Sequence, residues 1–293
     1  MMPRWLLWTL VALVSWGVWA VVSKLIGDAL SAAQSQALST LGLLPIIAAL
    51  AFARKPSGSR TPRRGILCGF AAGVLACLGN VAYYHALSLG GKASTVTPLT
   101  ALYPLVTVVL AVILLKEKVN GVQLAGIALS LMAIYLFNAQ AEAGVLSGWL
   151  LYGLIPIGMW GVSGLLQKLS TNYVSGETAT FWFLAAFVPV GAVIVLTQTW
   201  PARVTSRTWL LVVAVGLFFS VGNYAILVAF AGAGKASVIT PLTGLYPVVS
   251  VPLAILFLGE TIGAREVAAI VMALVSVVAL SHETPPASNA ATI

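Results

Sequence analysis

Apolar runs of about 20 residues recur along the whole chain, and short polar or glycine-rich joints separate them. A helix of that length crosses the ~30 Å hydrocarbon core of a bilayer. Because lipid offers the backbone no hydrogen-bond partner, each run is predicted to be helical. The pattern therefore predicts an all-α polytopic membrane protein with ten transmembrane helices, at about 4–26, 32–53, 64–87, 93–115, 120–139, 147–168, 176–198, 207–230, 236–258 and 263–281.

The chain contains an internal repeat. Residues 91–104 read GKASTVTPLTALYP, and residues 234–247 read GKASVITPLTGLYP, with eleven of fourteen positions identical. Helix or core constraints alone do not impose such a segment, so the match indicates duplication. The predicted halves are 1–140 and 147–281, each with five helices, followed by a disordered cytoplasmic tail at 282–293.

The odd number of helices in each half has a topological consequence. A second copy of five helices enters the membrane from the opposite side, so the halves are predicted to be inverted repeats. Inverted repeats allow two energetically similar states, each open to one face of the membrane. A receptor or a passive channel has less use for that arrangement, although the residues alone leave both classes open.

Composition and charge place the chain in lipid. It is 60% apolar and 8% charged, whereas soluble domains carry roughly 25% charged residues. The net charge of +8 is typical of cytoplasmic loops beside anionic lipid, so we expect a bilayer and no nucleic acid as partner. With both termini inside, ten Lys and Arg residues lie on the inner side and five on the outer side, namely Lys24, Lys92, Arg203, Arg207 and Arg265.

Two hydroxyl stripes mark a candidate pathway. On the fourth predicted helix, Thr97, Thr100, Pro104 and Thr107 share one face, with Tyr103 at its margin. The stripe repeats on the ninth predicted helix, where Pro98 and Pro241 also free carbonyl groups at membrane depth. Thr and Ser also bond to their own helix or join helices, which is the alternative interpretation. The residues of the second stripe are Thr240, Thr243, Tyr246, Pro247 and Ser250.

Tryptophans near mid-span are the second candidate feature. Trp16 and Trp19 share a face of the first predicted helix, and Trp160 and Ser163 share a face of the sixth. An indole N–H at membrane depth needs a partner, so these residues either line a pathway or pack in the interior.

A polar, aromatic patch on the third predicted helix differs between the halves. Asn80 has a counterpart in Asn223, which indicates a structural role for both. The counterparts of Tyr83, Tyr84 and His85 are all apolar. These three residues are therefore candidates for giving a substrate site its specificity. For His85, a position near the outer end of the helix is the alternative interpretation.

Several chemistries lack a motif. No carboxylate falls at mid-span, which disfavours ion coupling through a buried acid. The chain has no phosphate-binding G-x-x-x-x-G-K-[ST] loop and no H-E-x-x-H. We therefore predict no enzymatic activity, no catalytic residues, no metal site and no cofactor.

The chain resembles the drug/metabolite transporter superfamily in three features. These are the ten helices in two repeats, the GKAS-x-x-TPLT-x-LYP segments, and the Glu that follows each segment (Glu117 and Glu260). The EamA-like branch of bacterial metabolite and amino-acid exporters is the nearest match, and the aromatic-rich cavity without acids is similar to exporters of the YddG type. The resemblance implies a carrier in the bacterial cytoplasmic membrane with a central cavity between the repeats.

The expected function is therefore export of small metabolites, amino acids in particular, by alternating access, with the protein acting as a monomer. A carrier of sugar or nucleotide derivatives, or of drug-like cations, stays open as an alternative. Phosphates would call for cations near helix ends, such as Lys24, Lys92, Lys168 or Lys235. The predicted substrate-binding residues are Trp16, Trp19, Asn80, Tyr83, Tyr84, His85, Thr97, Pro98, Thr100, Tyr103, Trp160, Ser163, Asn223, Thr240, Pro241, Thr243 and Tyr246.

Overall fold

The structure is a computed structural model that describes residues 3–53, 61–115, 120–138, 148–231, 239, 242–280 and 282. Those residues form α-helices, short 3-10 turns and connections, and none of them lies in a strand. Helices fall within all ten predicted apolar runs. Apart from His282, the predicted tail lies outside the described residues.

Bounds are described for seven α-helices of the first half and six of the second, and residues 242–244 are helical as well. The helices of the first half are α1 (Arg4–Leu25), α2 (Ala32–Ser39), α3 (Leu44–Ala53), α4 (Pro62–Ser88), α5 (Ala93–Thr100), α6 (Pro104–Leu115) and α7 (Gly121–Asn138). Those of the second half are α8 (Gly148–Thr171), α9 (Gly176–Ala185), α10 (Phe187–Thr197), α11 (Ser206–Ala231), α12 (Pro247–Leu258) and α13 (Ala264–Leu280).

Length and composition identify membrane spans directly. Six helical stretches among the described residues are long and apolar enough to cross a bilayer. Two shorter apolar helices, Gly121–Phe137 and Leu242–Leu258, add to them. Large apolar side chains cover the outside of the bundle, among them Phe52, which is 92% exposed, and Leu196, which is 84% exposed. Such a surface is stable against lipid and would aggregate in water.

The fourth span is broken between α5 and α6. Pro104 has no N–H group, so a continuous helix would leave a carbonyl without its donor. The chain tightens there into a turn in which Tyr103 N donates to Thr100 O at 3.2 Å. The second half repeats the break before Pro247, where Tyr246 N donates to Thr243 O at 3.1 Å.

The third span of the first half packs antiparallel to the first span of the second half. The Ser170 hydroxyl, at the end of α8, donates to the carbonyl of Gly65 near the start of α4 at 2.7 Å. Two turns earlier on α8 and two turns later on α4, the Ser163 hydroxyl donates to Ala72 O at 2.9 Å. These paired contacts fix the opposite directions of α4 and α8.

Equivalent helices of the two halves run in opposite directions. Lys24 at the end of α1 donates to the carbonyl of Leu87 at the end of α4, at 2.8 Å, so α1 and α4 run the same way. Since α8 runs against α4, it also runs against α1, its own counterpart. The halves are therefore inverted relative to one another, and the prediction of an all-α fold built from two repeats is confirmed.

Candidate functional site

A cavity of about 170 Å³ lies where the two halves meet. It extends from the middle of the bundle to the end where α8 finishes. Residues from both halves line it, and eight of them are aromatic: Trp16, Trp19, Tyr103, Trp160, Phe183, Phe219, Phe230 and Tyr246. The other lining residues are Ala76, Thr107, Ser163, Gly164, Leu165, Gln167, Lys168, Asn223 and Ile226.

Trp19 is the centre of an aromatic cluster at the end of the cavity that lies in the middle of the bundle. Its ring stacks on Tyr83 with centroids 4.8 Å apart, and it meets Trp160 edge-on at 5.9 Å. Its indole N–H donates to the Tyr84 hydroxyl at 3.3 Å. Each ring restrains the next, so the cluster presents a rigid apolar wall.

Two tryptophans occupy equivalent positions against glycines of the opposite half. A Cβ at Gly79 would lie 2.5 Å from Nε1 of Trp160, and one at Gly222 would lie 2.5 Å from Nε1 of Trp16. No side chain other than hydrogen fits between ring and helix at either place. The Trp160 indole donates to Ala76 O at 3.4 Å, whereas Nε1 of Trp16 has no partner among the described residues.

Reciprocal tyrosine–threonine bonds join the halves beside the cavity. The Tyr246 hydroxyl lies 3.2 Å from the Thr100 hydroxyl, and the Tyr103 hydroxyl is hydrogen bonded to Thr243. The two pairs exchange positions under the repeat, because residues 100 and 103 correspond to 243 and 246. Such reciprocity is what a two-fold relation between the halves requires.

The open end of the cavity carries its polar groups. Gln167 donates to the Ser163 hydroxyl at 3.4 Å. Lys168 is half-buried, and its ammonium makes no hydrogen bond or ion pair within the described part of the chain. No aspartate or glutamate is among the described lining residues. The electrostatic character of this end is therefore positive.

The opposite end of the bundle is closed by main-chain contacts of Lys24. Its ammonium donates to Leu87 O at 2.8 Å and to Gly91 O at 2.9 Å. These bonds tie the end of α1 to the loop between α4 and α5. Below them, the Tyr83 hydroxyl lies 3.0 Å from the Thr97 hydroxyl, and Tyr83 itself is fully buried.

Carboxylates of the second half complete this closure. Glu260 accepts from the backbone N–H groups of Ala93 and Ser94, both at 2.8 Å. Lys92 pairs with Glu266, with Nζ 3.0 Å from Oε1. The first turn of α5 is therefore held by Glu260 in the connection that precedes α13 and by Glu266 in the first turn of α13.

The structure places the predicted site residues in three groups. Seven line the cavity: Trp16, Trp19, Tyr103, Trp160, Ser163, Asn223 and Tyr246. Seven others are buried behind its wall or at the closed end: Asn80, Tyr83, Tyr84, Thr97, Pro98, Thr100 and Thr243. His85 faces away and meets the Tyr152 ring edge-on at 4.2 Å. Thr240 and Pro241 lie outside the described residues.

The phenylalanines and the pair at residues 167 and 168 were not among the predicted site residues. Phe183, Phe219 and Phe230 line the cavity, yet an apolar ring in an apolar span carries no signal in the sequence. Lys168 did carry one, because it recurs as Lys24 at the same place in the other half.

The comparisons with known proteins agree with this architecture. The EamA-like transporter family matches the chain twice, over residues 3–139 and 147–282. The chain therefore belongs to this family, and it is a multi-pass membrane protein of the transporter class. The two matched ranges correspond to the two halves of the fold.

One relative in sequence and one solved structure of similar fold were also found. Uncharacterized protein MJ1333.1 of Methanocaldococcus jannaschii is 40% identical over 65 residues, which are 22% of this chain and 47% of that protein. The chain thus spans about half the length of this curated relative. A solved structure, described only as the crystal structure of a protein, matches with a TM-score of 0.65 at 17% identity. The match covers 93% of this chain and 94% of the other, and it bears on the fold alone.

Proposed function

We propose that the protein carries small metabolites across the membrane by alternating access. The observation that supports this most is the cavity between inverted halves, which reaches one end of the bundle while bonds from Lys24, Lys92 and Glu260 close the other. Inverted halves can exchange conformations, which would close the open end and open the closed one.

Amino acids are the substrate class that fits the lining best. The aromatic faces can bind an apolar side chain or, by cation–π attraction, an ammonium group. Asn223, Ser163 and Gln167 offer neutral hydrogen-bonding groups for the polar end. Without a carboxylate in the described lining to hold the ammonium, affinity is expected to be low and specificity broad.

The orientation that the charges favour supports export as the direction of transport. With both termini in the cytoplasm, the end at Lys168 is the inner one, so the cavity faces the cytoplasm. A weak site facing the inside suits an exporter, which meets its substrate at high internal concentration. The proposed location is the cytoplasmic membrane of a bacterium, with the protein active as a monomer.

Counterflow of labelled compounds in proteoliposomes tests this proposal. The panel contains amino acids, a sugar phosphate, a nucleotide sugar and a quaternary ammonium compound. We expect saturable exchange of amino acids with apolar or aromatic side chains. Exchange of the phosphates or of the cation, without exchange of amino acids, would identify a different substrate class. Unsaturable flux of all compounds would indicate a channel.

Two variants connect the flux to the cavity. Trp160→Ala removes an aromatic wall, and Tyr83→Ala removes the ring that supports Trp19, so each should lower amino-acid flux roughly tenfold or more. Trp209→Ala is the matched control, because Trp209 is 41% exposed on the outside of α11. Wild-type flux in both Trp160→Ala and Tyr83→Ala would show that substrate passes elsewhere.

A further inference from the structure

We propose that Lys168 binds the carboxylate of the substrate, so that the carried class is a monocarboxylate with an apolar or aromatic body. This inference rests on the proposed function and deepens it. It adds a charged contact to a cavity whose other described polar groups are neutral, and it gives the substrate a defined direction in the site.

The charge balance of the cavity is the first observation. Lys168 is the one cationic residue among the described lining residues, and none of them is acidic. Lys168 is half-buried beside the aromatic lining, and no counter-charge lies among the described lining residues. A carboxylate supplied by the ligand would restore the balance and form charge-assisted hydrogen bonds.

The counterpart of Lys168 provides the geometric precedent. Lys24 occupies the same position in the first half, and its ammonium binds two oxygens at 2.8 and 2.9 Å, those of Leu87 and Gly91. A lysine here can therefore reach two acceptors at once. Phe230 corresponds to Leu87 and lines the cavity with Lys168, but no hydrogen bond joins this pair in the structure. Gly234, the counterpart of Gly91, lies outside the described residues. Among the described residues the ammonium has no acceptor, and a carboxylate would supply two oxygens.

The positions along α8 set the shape of the ligand. Trp160 lies eight residues before Lys168, which is about 12 Å along a helix. The lysine stem spans part of that distance and the body of a small ligand spans the rest. A carboxylate at Lys168 therefore directs an apolar side chain toward Trp160 and Trp16. In the orientation proposed above, the positive end also faces the cytoplasm and attracts anions from that side.

Binding and flux can be tested separately. Binding is measured by quenching of the protein's tryptophan emission in detergent, excited where phenylalanine does not absorb. The probes are L-phenylalanine, 3-phenylpropionate, which keeps only the carboxylate, and L-phenylalaninamide, which lacks it. The variants are Lys168→Met and Lys168→Arg, and Arg203→Met is the control because Arg203 is an exposed cation outside the cavity.

We expect Lys168→Met to weaken binding of L-phenylalanine and 3-phenylpropionate roughly tenfold or more. Binding of L-phenylalaninamide should change less than about twofold, and Lys168→Arg should retain most of the carboxylate affinity. The control should bind all three probes as the wild type does. These affinities are measured in detergent without transport, so their outcome does not depend on the counterflow result.

Two outcomes would overturn the inference. Equal weakening of all three probes in Lys168→Met would assign the residue to closure of this end, as Lys24 closes the other. Unchanged affinity for the carboxylate probes would show that the ammonium makes no contact with ligand. Failure of every panel compound to exchange in the wild type would instead contradict the proposed function.

Discussion

At the scale of single residues, the cavity depends on two glycines that support tryptophans of the opposite half. Gly79 allows Trp160 to lie directly on α4, and Gly222 does the same for Trp16 on α11. In both places, a methyl group would occupy the space of the indole nitrogen. The indole would have to swing away from the helix and into the cavity beside it.

Gly79→Ala should therefore impair function more than stability. We expect amino-acid flux to fall several-fold, because the displaced Trp160 ring narrows the cavity and loses its bond to Ala76. The higher helix propensity of alanine offsets part of the steric cost, so the protein should remain monodisperse in detergent. Flux is measured by counterflow in proteoliposomes.

The matched control for this change lies on α8. A Cβ at Gly158 would meet no described atom within 4 Å, so Gly158→Ala should transport normally and melt at the same or a higher temperature. Wild-type flux in Gly79→Ala would show that Trp160 can move without loss of function. The interpretation of the aromatic cluster as a rigid wall would then be wrong.

Sequence reasoning found the residues whose chemistry is unusual at membrane depth. Trp16, Trp160, Tyr103 and Tyr246 stand out because they recur in both halves and carry polar atoms. Phe219 and its neighbours do not stand out, because nothing in an apolar run distinguishes a cavity face from a lipid face. Which of the predicted residues contact substrate stays a prediction.

At the scale of helices, the short helix α5 is capped by a residue from the other half. Its first N–H groups have no partner within the helix. Glu260 accepts from two of them, at Ala93 and Ser94, and its charge also complements the helix dipole. The helix that Glu260 caps lies far from it in the chain, since Ser94 precedes Glu260 by 166 residues.

Glu260→Ala should destabilise the fold measurably. Ser94 and Ala93 are fully buried, so their N–H groups would be left without an acceptor, at a cost of about 1–3 kcal/mol. We expect the melting temperature in detergent to fall by a few degrees. Glu260→Gln keeps one acceptor oxygen and should lose less. Equal melting of the wild type and Glu260→Ala would mean that water replaces the carboxylate.

The break between α5 and α6 could not be predicted from periodicity. One uninterrupted span was predicted at 93–115, because apolar length does not reveal a local turn. The prolines indicated freed carbonyls, and the turn at 101–103 is how the chain accommodates Pro104. This turn also brings Tyr103 into the interior, so the departure from regular helix helps to build the cavity.

At the scale of the whole molecule, duplication determines the architecture and divergence determines the site. Lys24 and Lys168 are equivalent in sequence, yet one closes its end while the other lines an open cavity. Trp19 corresponds to Ser163, and Tyr83 corresponds to Ile226, so the aromatic cluster belongs mainly to the first half. The repeat could be predicted from the sequence, whereas the state of each end depends on contacts between segments far apart in the chain.

The closed end can be tested by locking it. Lys92 and Glu266 are ion-paired across the halves, and the proposed alternating access predicts that this contact breaks when the end opens. In a background lacking Cys68 and Cys77, we would introduce Lys92→Cys and Glu266→Cys and apply a short, membrane-impermeant thiol crosslinker to intact cells. If this end faces outward, the reagent reaches both cysteines.

Crosslinking should abolish flux, and a reductant that cleaves the linker should restore it to the level of the untreated double variant. Binding of L-phenylalanine should persist in the crosslinked protein, because the cavity reaches the opposite end of the bundle. Each single cysteine variant controls for modification without a link. Undiminished flux after complete crosslinking would show that this end does not open during transport. Reaction only in inside-out vesicles would show that the orientation is reversed.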